Sequence, residues 1–299
     1  MQRSTPSTDP SVTSEPPTSS SNSWRQASSR HRLTTTTIQG SAPPSSELWF
    51  DGVVKVVAHR GASSVRPENT MVSFRHAIEL GADAIEFDVQ STGDGHLVVI
   101  HDMSLDRTTD GHGPVFASRF DEVRHLDAGS WFDAEFAGMQ VPTLAEVLSL
   151  DAVEFELELK SYGRAFVDQA LAEVDAAEAL DRVEFTGSNM PLLLLLQRLE
   201  PRARIGLFSP PQAAWMSDEV YEHHVVGVAE TSGADVIHVP ARCITRLIVD
   251  RLHDLGKAVH ANDAADTSEV RRARSAGADR LSTNDVAMAI AALEGATER

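Results

Sequence analysis

Short β-branched runs alternate with segments of helical length through most of the chain, and this alternation constrains the fold more than any other feature. The apolar pattern predicts eight strands, at residues 53–58, 84–89, 153–159, 182–186, 204–208, 235–239, 258–261 and 280–282. Six intervening segments have helical length and apolar spacing, at residues 70–80, 164–179, 191–199, 217–232, 244–255 and 267–276. Such alternation is typical of a parallel sheet, and eight units over about 250 residues favour a closed (β/α)8 barrel of the TIM type. An open, doubly wound sheet is the alternative, but no GxGxxG follows the first strand.

The connection after the second predicted strand departs from this rhythm. Residues 91–95 read Ser-Thr-Gly-Asp-Gly, and the segment 96–101 follows at once. A parallel crossover needs a dozen or more residues, so the connection must be a hairpin, and Asp94-Gly95 is a strong turn signal. Folding back about that turn predicts that His101 lies level with Asp88, so that the two side chains are neighbours.

Two segments differ in composition from the predicted barrel. In residues 1–46, 27 are Ser, Thr or Pro, and too few apolar side chains remain to offset the entropy of ordering. We predict a disordered tail there, ahead of a barrel domain at 47–299; a regulatory or phosphorylated tail and a start codon assigned too far upstream are the alternatives. Residues 103–141 contain several glycines and aromatic residues and little clear period. They are predicted to form an insertion over one side of the barrel mouth.

Charge and cysteine content restrict the partners and the compartment. The formal net charge of −18 repels nucleic acid and anionic membranes, although a bound metal can reverse the field inside a pocket. No apolar run reaches the roughly 18 residues of a membrane span, so no stable membrane insertion is expected. Cys243 is the only cysteine, which fits a reducing compartment. With no secretory signal pattern at the N-terminus, the sequence predicts a cytoplasmic protein that acts on a small molecule.

Acidic residues cluster where predicted strands end. Glu86 and Asp88 are two residues apart, so their side chains point to the same face of one strand, and Glu158 lies near the end of the next barrel strand. Carboxylates that converge at a barrel mouth need a proton, a cation or a metal, and an oxygen-rich set suits Mg²⁺ or Ca²⁺. A solvated strand face is the plainer alternative. It is disfavoured in a parallel barrel, because the other face of each strand is apolar.

Two histidines and an arginine accompany these acids. His59 and His101 each end an apolar strand beside a charged residue, and imidazole can act as base or acid near neutral pH. The other ten histidines are interpreted as structural or exposed. Arg60 offers a planar fork that matches phosphate oxygens, with a salt bridge at the rim as the alternative. Lys160 shares a strand face with Glu158.

Several short motifs occur in an order that resembles the glycerophosphodiester phosphodiesterases. The motifs are His59-Arg60-Gly61-Ala62, Pro67-Glu68-Asn69-Thr70, Glu86-Phe87-Asp88-Val89, His101-Asp102, Leu105-Asp106-Arg107-Thr108-Thr109, Val141-Pro142-Thr143-Leu144 and Glu158-Leu159-Lys160. The resemblance implies a (β/α)8 barrel with a small insertion after the second histidine. It also implies hydrolysis of glycerophosphodiesters to glycerol 3-phosphate and an alcohol, with Ca²⁺ or Mg²⁺ as cofactor.

The resemblance also implies roles for individual residues. The implied roles are catalytic acid–base pair for His59 and His101, metal ligands for Glu86, Asp88 and Glu158, and phosphate-facing cations for Arg60 and Lys160. In the implied mechanism one histidine takes the proton of a glycerol hydroxyl as it attacks phosphorus, and the other protonates the departing alkoxide. Water then opens the cyclic phosphate with the roles reversed.

The resemblance weakens in the second half of the chain. Glu156 stands where the family often has Asn, so it is expected either to add a ligand or to take a proton. Residues 186–189 and 260–263 also depart from the family pattern, the second by lacking an aromatic wall. These changes put the alcohol group in doubt. Lysophospholipase D-like activity, a phosphoinositide-type lyase that stops at the cyclic phosphate, and a non-catalytic phosphodiester-binding barrel are therefore alternatives.

Overall fold

A computed structural model describes residues 53–151 and 153–295 of the chain. The strands are β1 (Lys55–His59), β2 (Ala84–Ser91), β3 (Leu97–Val99), β4 (Glu154–Leu159), β5 (Val183–Gly187), β6 (Arg204–Phe208), β7 (Val236–Pro240), β8 (Ala258–Asn262) and β9 (Arg280–Thr283). The predicted tail at 1–46 lies outside the described residues, and the domain boundary at 47 stays a prediction.

Eight of these strands close into a parallel barrel. The sheet runs in the order β1-β9-β8-β7-β6-β5-β4-β2-β3, and β1 also pairs with β2, which completes the ring. Each barrel strand is parallel to its neighbours, for example with Asp88 on β2 opposite Glu158 on β4. The predicted TIM-type barrel is therefore confirmed, and every predicted strand corresponds to one of its eight.

Helices connect the barrel strands. They are α1 (Met71–Glu79), α2 (Phe120–Arg124), α3 (Leu144–Leu148), α4 (Arg164–Ala176), α5 (Met190–Leu199), α6 (Asp218–Ser232), α7 (Arg246–Asp254), α8 (Thr267–Ala276) and α9 (Val286–Glu294). Four helices begin at a capping residue whose side chain accepts a hydrogen bond from the first turn. These residues are Thr70 for α1, Asn189 for α5, Ser217 for α6 and Thr245 for α7. The six predicted helices are present, whereas α2, α3 and α9 were not predicted. None of the helices in the described part of the chain has the length and apolar character of a membrane span.

The hairpin is present, but its predicted register is wrong by one residue. Strand β3 is antiparallel to β2 and pairs Val89 with Val99, and the Ile100 N–H donates to the Asp88 carbonyl at 2.9 Å. Ile100, not His101, therefore lies opposite Asp88. The length of the loop sets this register, because three residues lie between Thr92 and His96, whose backbones are hydrogen-bonded. Gly95 ends the loop with a φ of +88°, as in a turn closed by a left-handed residue.

Two apolar cores stabilise the part of the chain that the structure describes. The larger one fills the space between the barrel and its helices, with Phe74, Phe87 and Phe155 among its fully buried side chains. The smaller one belongs to the hairpin and the segment 103–141, and consists of Val98, Ile100, Leu105, Val115, Val123, Ala128 and Val141. The inserted segment thus has apolar packing of its own beside His101, which ends the hairpin.

Candidate active site

A strained turn follows β1 and positions its polar residues. Arg60 has a φ of +57° and Gly61 a φ of +85°, and the Gly61 N–H donates to the Ala58 carbonyl at 3.1 Å. A Cβ at Gly61 would lie 2.4 Å from Ser73 Oγ, so only glycine fits against α1. The turn directs the Arg60 backbone N–H at Glu86, to which it donates at 2.8 Å.

The three predicted metal ligands lie together at the C-terminal end of the barrel. One carboxylate oxygen from each of Glu86, Asp88 and Glu158 lies within 4.8 Å of the other two. Glu86 Oε1 and Asp88 Oδ1 are buried without a hydrogen-bond partner, although the Lys160 ammonium lies 3.2 Å from Asp88 Oδ1. Buried carboxylate oxygens of this kind are costly unless a cation satisfies them, and the group is therefore suited to hold a divalent ion.

The ionisation of the trio reflects burial and mutual repulsion. Burial, and then the charge of Asp88, raises the pKa of Glu86 well above its usual range. The same two causes raise the pKa of Glu158 to about 7. Asp88 is also buried, but Lys160 and Arg60 outweigh that penalty and lower its pKa. Burial and repulsion thus favour the protonated forms of Glu86 and Glu158, whereas the two neighbouring cations favour the charged form of Asp88.

The two predicted phosphate-facing cations contact these carboxylates. Arg60 Nε lies 3.3 Å from Asp88 Oδ2 and is buried without a hydrogen bond. Lys160 Nζ lies 2.7 Å from Glu158 Oε1 and 3.2 Å from Asp88 Oδ1. Both cations thus border the oxygen cluster.

Each predicted catalytic histidine has a partner on Nδ1. His59 Nδ1 lies 2.7 Å from Asn284 Oδ1, and its Nε2 lies 3.8 Å from Glu86 Oε2. His101 Nδ1 lies 2.7 Å from Asp102 Oδ1, and the charge of His101 helps to lower the pKa of Asp88. A partner on Nδ1 fixes the ring orientation and leaves Nε2 for proton transfer.

Charged side chains connect the two histidine regions. Arg107 donates to both oxygens of Asp102 at 2.7 and 2.9 Å and to both oxygens of Glu68 at 2.9 and 2.8 Å. Glu68 in turn accepts from Arg60 Nη1 at 2.9 Å. The sequence motifs contain Glu68, Asp102 and Arg107, but we predicted no role for them. The structure shows them bridging the turn after β1 and the end of the hairpin.

A cavity of about 320 Å³ opens beside two carboxylates of the trio, Glu86 and Glu158. It is lined by His59, Arg60, Glu86, Glu156, Glu158, Ser188, Phe208, Asn262, Asp263 and Ser282. The residues that depart from the family pattern therefore do shape this space. His260 lies below it, fully buried in the barrel, and Phe208, which the sequence did not single out, is the aromatic side chain of the lining.

Known proteins share both the sequence pattern and the barrel. A family model, the glycerophosphoryl diester phosphodiesterase family, matches residues 59–288. The chain belongs to this family. A glycerophosphodiester phosphodiesterase from Caldanaerobacter subterraneus subsp. tengcongensis is 41% identical over 158 residues, which are 51% of this chain and 65% of that relative.

Solved structures of phosphodiesterases extend the similarity over most of the barrel. One from Agrobacterium tumefaciens superposes with a TM-score of 0.67 at 28% identity, over 79% of this chain and all of the other. A phosphodiesterase from Oleispira antarctica, solved with its product sn-glycerol-3-phosphate, superposes with a TM-score of 0.67 at 27% identity, over 80% and 96% of the two chains. The predicted family membership is confirmed.

Glu156, which the sequence singled out as an additional ligand or a protonated residue, belongs to a second buried group. It does not group with Glu86, Asp88 and Glu158 but with His238 and His260, two of the ten histidines that we interpreted as structural or exposed. Burial raises the pKa of Glu156 to about 7. The sequence pattern could have indicated that both histidines are buried, because each lies between apolar residues within a predicted strand. In the structure, the register of β7 and β8 pairs His238 with His260.

Proposed function

We propose that this chain hydrolyses glycerophosphodiesters to glycerol 3-phosphate and an alcohol, with one divalent cation held by Glu86, Asp88 and Glu158. The observation that carries the proposal is the buried oxygen cluster beside His59, at the floor of a polar cavity. Family membership and the product bound in the Oleispira relative support the same chemistry.

The donor atoms fit a hard cation. All three groups are carboxylates, and two of their buried oxygens lack hydrogen-bond partners. Oxygen-only ligands suit Ca²⁺ or Mg²⁺ rather than zinc. When bound there, such an ion would stabilise charge on a phosphate oxygen and lower the pKa of an adjacent hydroxyl.

The histidines would move protons through their Nε2 atoms. His59 Nδ1 is hydrogen-bonded to Asn284, and His101 Nδ1 is hydrogen-bonded to Asp102. One Nε2 removes a proton from the glycerol hydroxyl that attacks phosphorus, and the other protonates the departing alkoxide. In the second step water opens the cyclic phosphate, and the two histidines exchange roles.

Arg60 and Lys160 would stabilise the negative charge that develops on the phosphoryl oxygens. Both cations are already held beside the carboxylates, so little reorganisation is needed during the reaction. The rigid turn at Arg60 contributes to this preorganisation, because its backbone N–H is bonded to Glu86.

The cavity favours a small polar alcohol over a lysophospholipid. Its volume is about 320 Å³, and nine of its ten lining residues are polar or charged, with Phe208 as the exception. A long acyl chain would find little apolar surface there to bury. We therefore expect substrates such as the glycerophosphodiesters of choline, ethanolamine or glycerol.

A product assay tests the proposal. The full-length chain is incubated with a panel of glycerophosphodiesters in Ca²⁺, Mg²⁺ or Mn²⁺, and glycerol 3-phosphate is measured by a coupled enzyme. We expect His59→Ala and His101→Ala each to lower turnover by about 10²-fold or more. The exposed His112 supplies a matched control, His112→Ala, which should leave turnover unchanged.

The same reactions separate the competing activities. Phosphorus NMR should show glycerol 3-phosphate as the final product, with any cyclic phosphate consumed over time. Accumulation of the cyclic phosphate alone would indicate a lyase. Near wild-type turnover in both histidine variants, or no product from any diester, would overturn the proposal.

A further inference from the structure

Charged and polar side chains fill the barrel interior beneath the cavity, where apolar side chains are the rule in this fold. Glu156 on β4, Glu184 on β5, His238 on β7 and His260 on β8 are all buried, with at most 2% of each residue exposed. This layer is not used by the reaction proposed above. Only Glu156 among these four residues lines the cavity.

Nitrogen and oxygen atoms of three residues in this layer lie close together without forming hydrogen bonds to each other. His260 Nδ1 lies 3.0 Å from Glu156 Oε2, and His238 Nδ1 lies 3.6 Å from Glu156 Oε1. Both histidine Nδ1 atoms and Glu156 Oε2 nevertheless lack a hydrogen-bond partner. Close approach without hydrogen-bond geometry is expected of atoms that share a metal ion, since ligands about 2 Å from one ion lie roughly 3–3.5 Å apart.

A carboxylate behind His238 sets the direction of its ring. His238 Nε2 lies 2.7 Å from Glu184 Oε1, which leaves Nδ1 as the nitrogen that faces Glu156. Carboxylate–histidine pairs of this kind orient the imidazole ligands of metal sites. The guanidinium of Arg280 lies near the other oxygen of Glu184, with Nη1 3.8 Å from Oε2.

The lack of a side chain at Gly206 leaves space for the pair of Glu184 and His238. Gly206 on β6 faces it, and a Cβ there would lie 2.2 Å from Glu184 Oε1 and 2.6 Å from His238 Nε2. The two imidazoles stack with their centroids 4.3 Å apart, and one donor atom from each of Glu156, His238 and His260 lies within 4.8 Å of the others.

We propose that Glu156, His238 and His260 form a second metal site, selective for a borderline ion such as Zn²⁺. Two imidazoles and one carboxylate are a recurrent zinc ligand set. The site differs in chemistry from the oxygen-only trio of Glu86, Asp88 and Glu158. Because Glu156 also lines the cavity, an ion would reach the site from that side, and the Nδ1 atoms of His238 and His260 would hold it together with the Glu156 carboxylate.

Zinc retention by the full-length chain tests this proposal. The protein is stripped with a chelator, loaded with Zn²⁺, desalted and measured by plasma mass spectrometry. We expect His260→Phe and Glu156→Gln each to lose one equivalent of zinc relative to wild type. Asp88→Asn, which damages only the oxygen-rich trio, and His112→Phe, at an exposed histidine, should keep that equivalent.

A spectroscopic measurement on the unmodified protein covers the case in which a core variant fails to fold. Cu²⁺ at substoichiometric loading should show pulsed electron paramagnetic resonance couplings from two imidazole nitrogens. Equal zinc in wild type and both core variants, no zinc retained by wild type, or no imidazole coupling would each overturn the proposal. Neither zinc retention nor the copper spectrum depends on turnover. A failure of the second metal site can therefore be told apart from a failure of the proposed hydrolysis.

Discussion

Lys160 Nζ lies 2.7 Å from Glu158 Oε1, and it reaches Asp88 Oδ1 at 3.2 Å. The ammonium group therefore contacts two of the three carboxylates that we propose as metal ligands. A lysine in this position partly neutralises the trio and opposes the approach of a divalent ion. The same charge is available to a phosphate, so we expect Lys160 to link cation binding with substrate binding.

Replacing Lys160 by methionine should separate these two effects. Lys160→Met removes the charge and keeps most of the stem, so we expect Ca²⁺ or Mg²⁺ to bind about tenfold more tightly, because a repulsive charge near the ion is lost. Turnover should fall, since the same charge stabilises the phosphoryl oxygens. Calorimetric titration measures the affinity, with Arg164→Met at an exposed position as the control. Weaker metal binding in Lys160→Met would contradict this account.

Asp102 should act as a positioning residue for His101. Its carboxylate accepts from His101 Nδ1 at 2.7 Å and is itself held by Arg107. Asp102→Asn places an amide against Nδ1 and disturbs the tautomer, so we expect kcat to fall by about 10²-fold with KM little changed. Asp106→Asn, at a half-exposed residue that contacts His112, is the matched control. A change confined to KM would argue against positioning.

Gly61 should be essential for the turn that places Arg60. In Gly61→Ala the alanine would have to keep a φ of +85°, and its Cβ would lie 2.8 Å from the Ser73 carbonyl carbon. Gly113 has a φ of +94° but no atom within 4 Å of the added Cβ, so Gly113→Ala reports the backbone cost alone, roughly 1 kcal/mol. We expect Gly61→Ala to lower the free energy of unfolding by at least about 2 kcal/mol more than Gly113→Ala does. Urea denaturation of the two variants measures this difference. Equal costs would show that the turn adapts.

Asp127 should make the inserted segment sensitive to acid. Its carboxylate accepts from the Ser130 hydroxyl and from the backbone N–H groups of Ser130, Gly129 and Gly138, and these hydrogen bonds lower its pKa. The stabilisation is therefore complete at neutral pH and is lost as the pH falls below about 4, through the folded-state pKa.

Amide hydrogen exchange measures that acid sensitivity directly. Protection of the Gly129 and Gly138 amides should decrease between pH 6 and pH 3 in wild type, after correction for intrinsic exchange. Asp127→Asn should show lower protection at pH 6 and little further loss at pH 3. The control is Asp133→Asn, because among the described residues the Asp133 carboxylate accepts a hydrogen bond from the Glu135 amide alone. An unchanged wild-type profile would rule out this role of Asp127.

The sequence predicted the barrel because its strands are apolar runs separated by helices with clear caps. Strand β5 and helix α5 are an example, since a fully buried strand leads to Asn189, which caps the helix. Helix α9 was missed because its alanine-rich segment has no polar face to reveal a helical period. The hairpin register depended on the length of the loop, which the Asp94-Gly95 signal alone does not determine.

The sequence also predicted which carboxylates converge, because parallel register places Asp88 opposite Glu158. It did not reveal contacts between residues that are far apart in the chain. The pairing of His59 with Asn284 spans 225 positions, and the pairing of His238 with Glu184 spans 54. Such contacts depend on barrel closure and side-chain direction, which local patterns do not encode.

Metal depletion and restoration test the central claim most directly, namely that Glu86, Asp88 and Glu158 hold the ion that supports hydrolysis. Release of glycerol 3-phosphate is followed in the chelated full-length chain while Ca²⁺ or Mg²⁺ is restored, with Asp88→Asn compared against Asp168→Asn at the exposed face of α4. We predict that wild type and Asp168→Asn recover full activity, and that Asp88→Asn stays at least about 10²-fold lower at every metal concentration. Full activity in the presence of the chelator, or full recovery of Asp88→Asn, would contradict it.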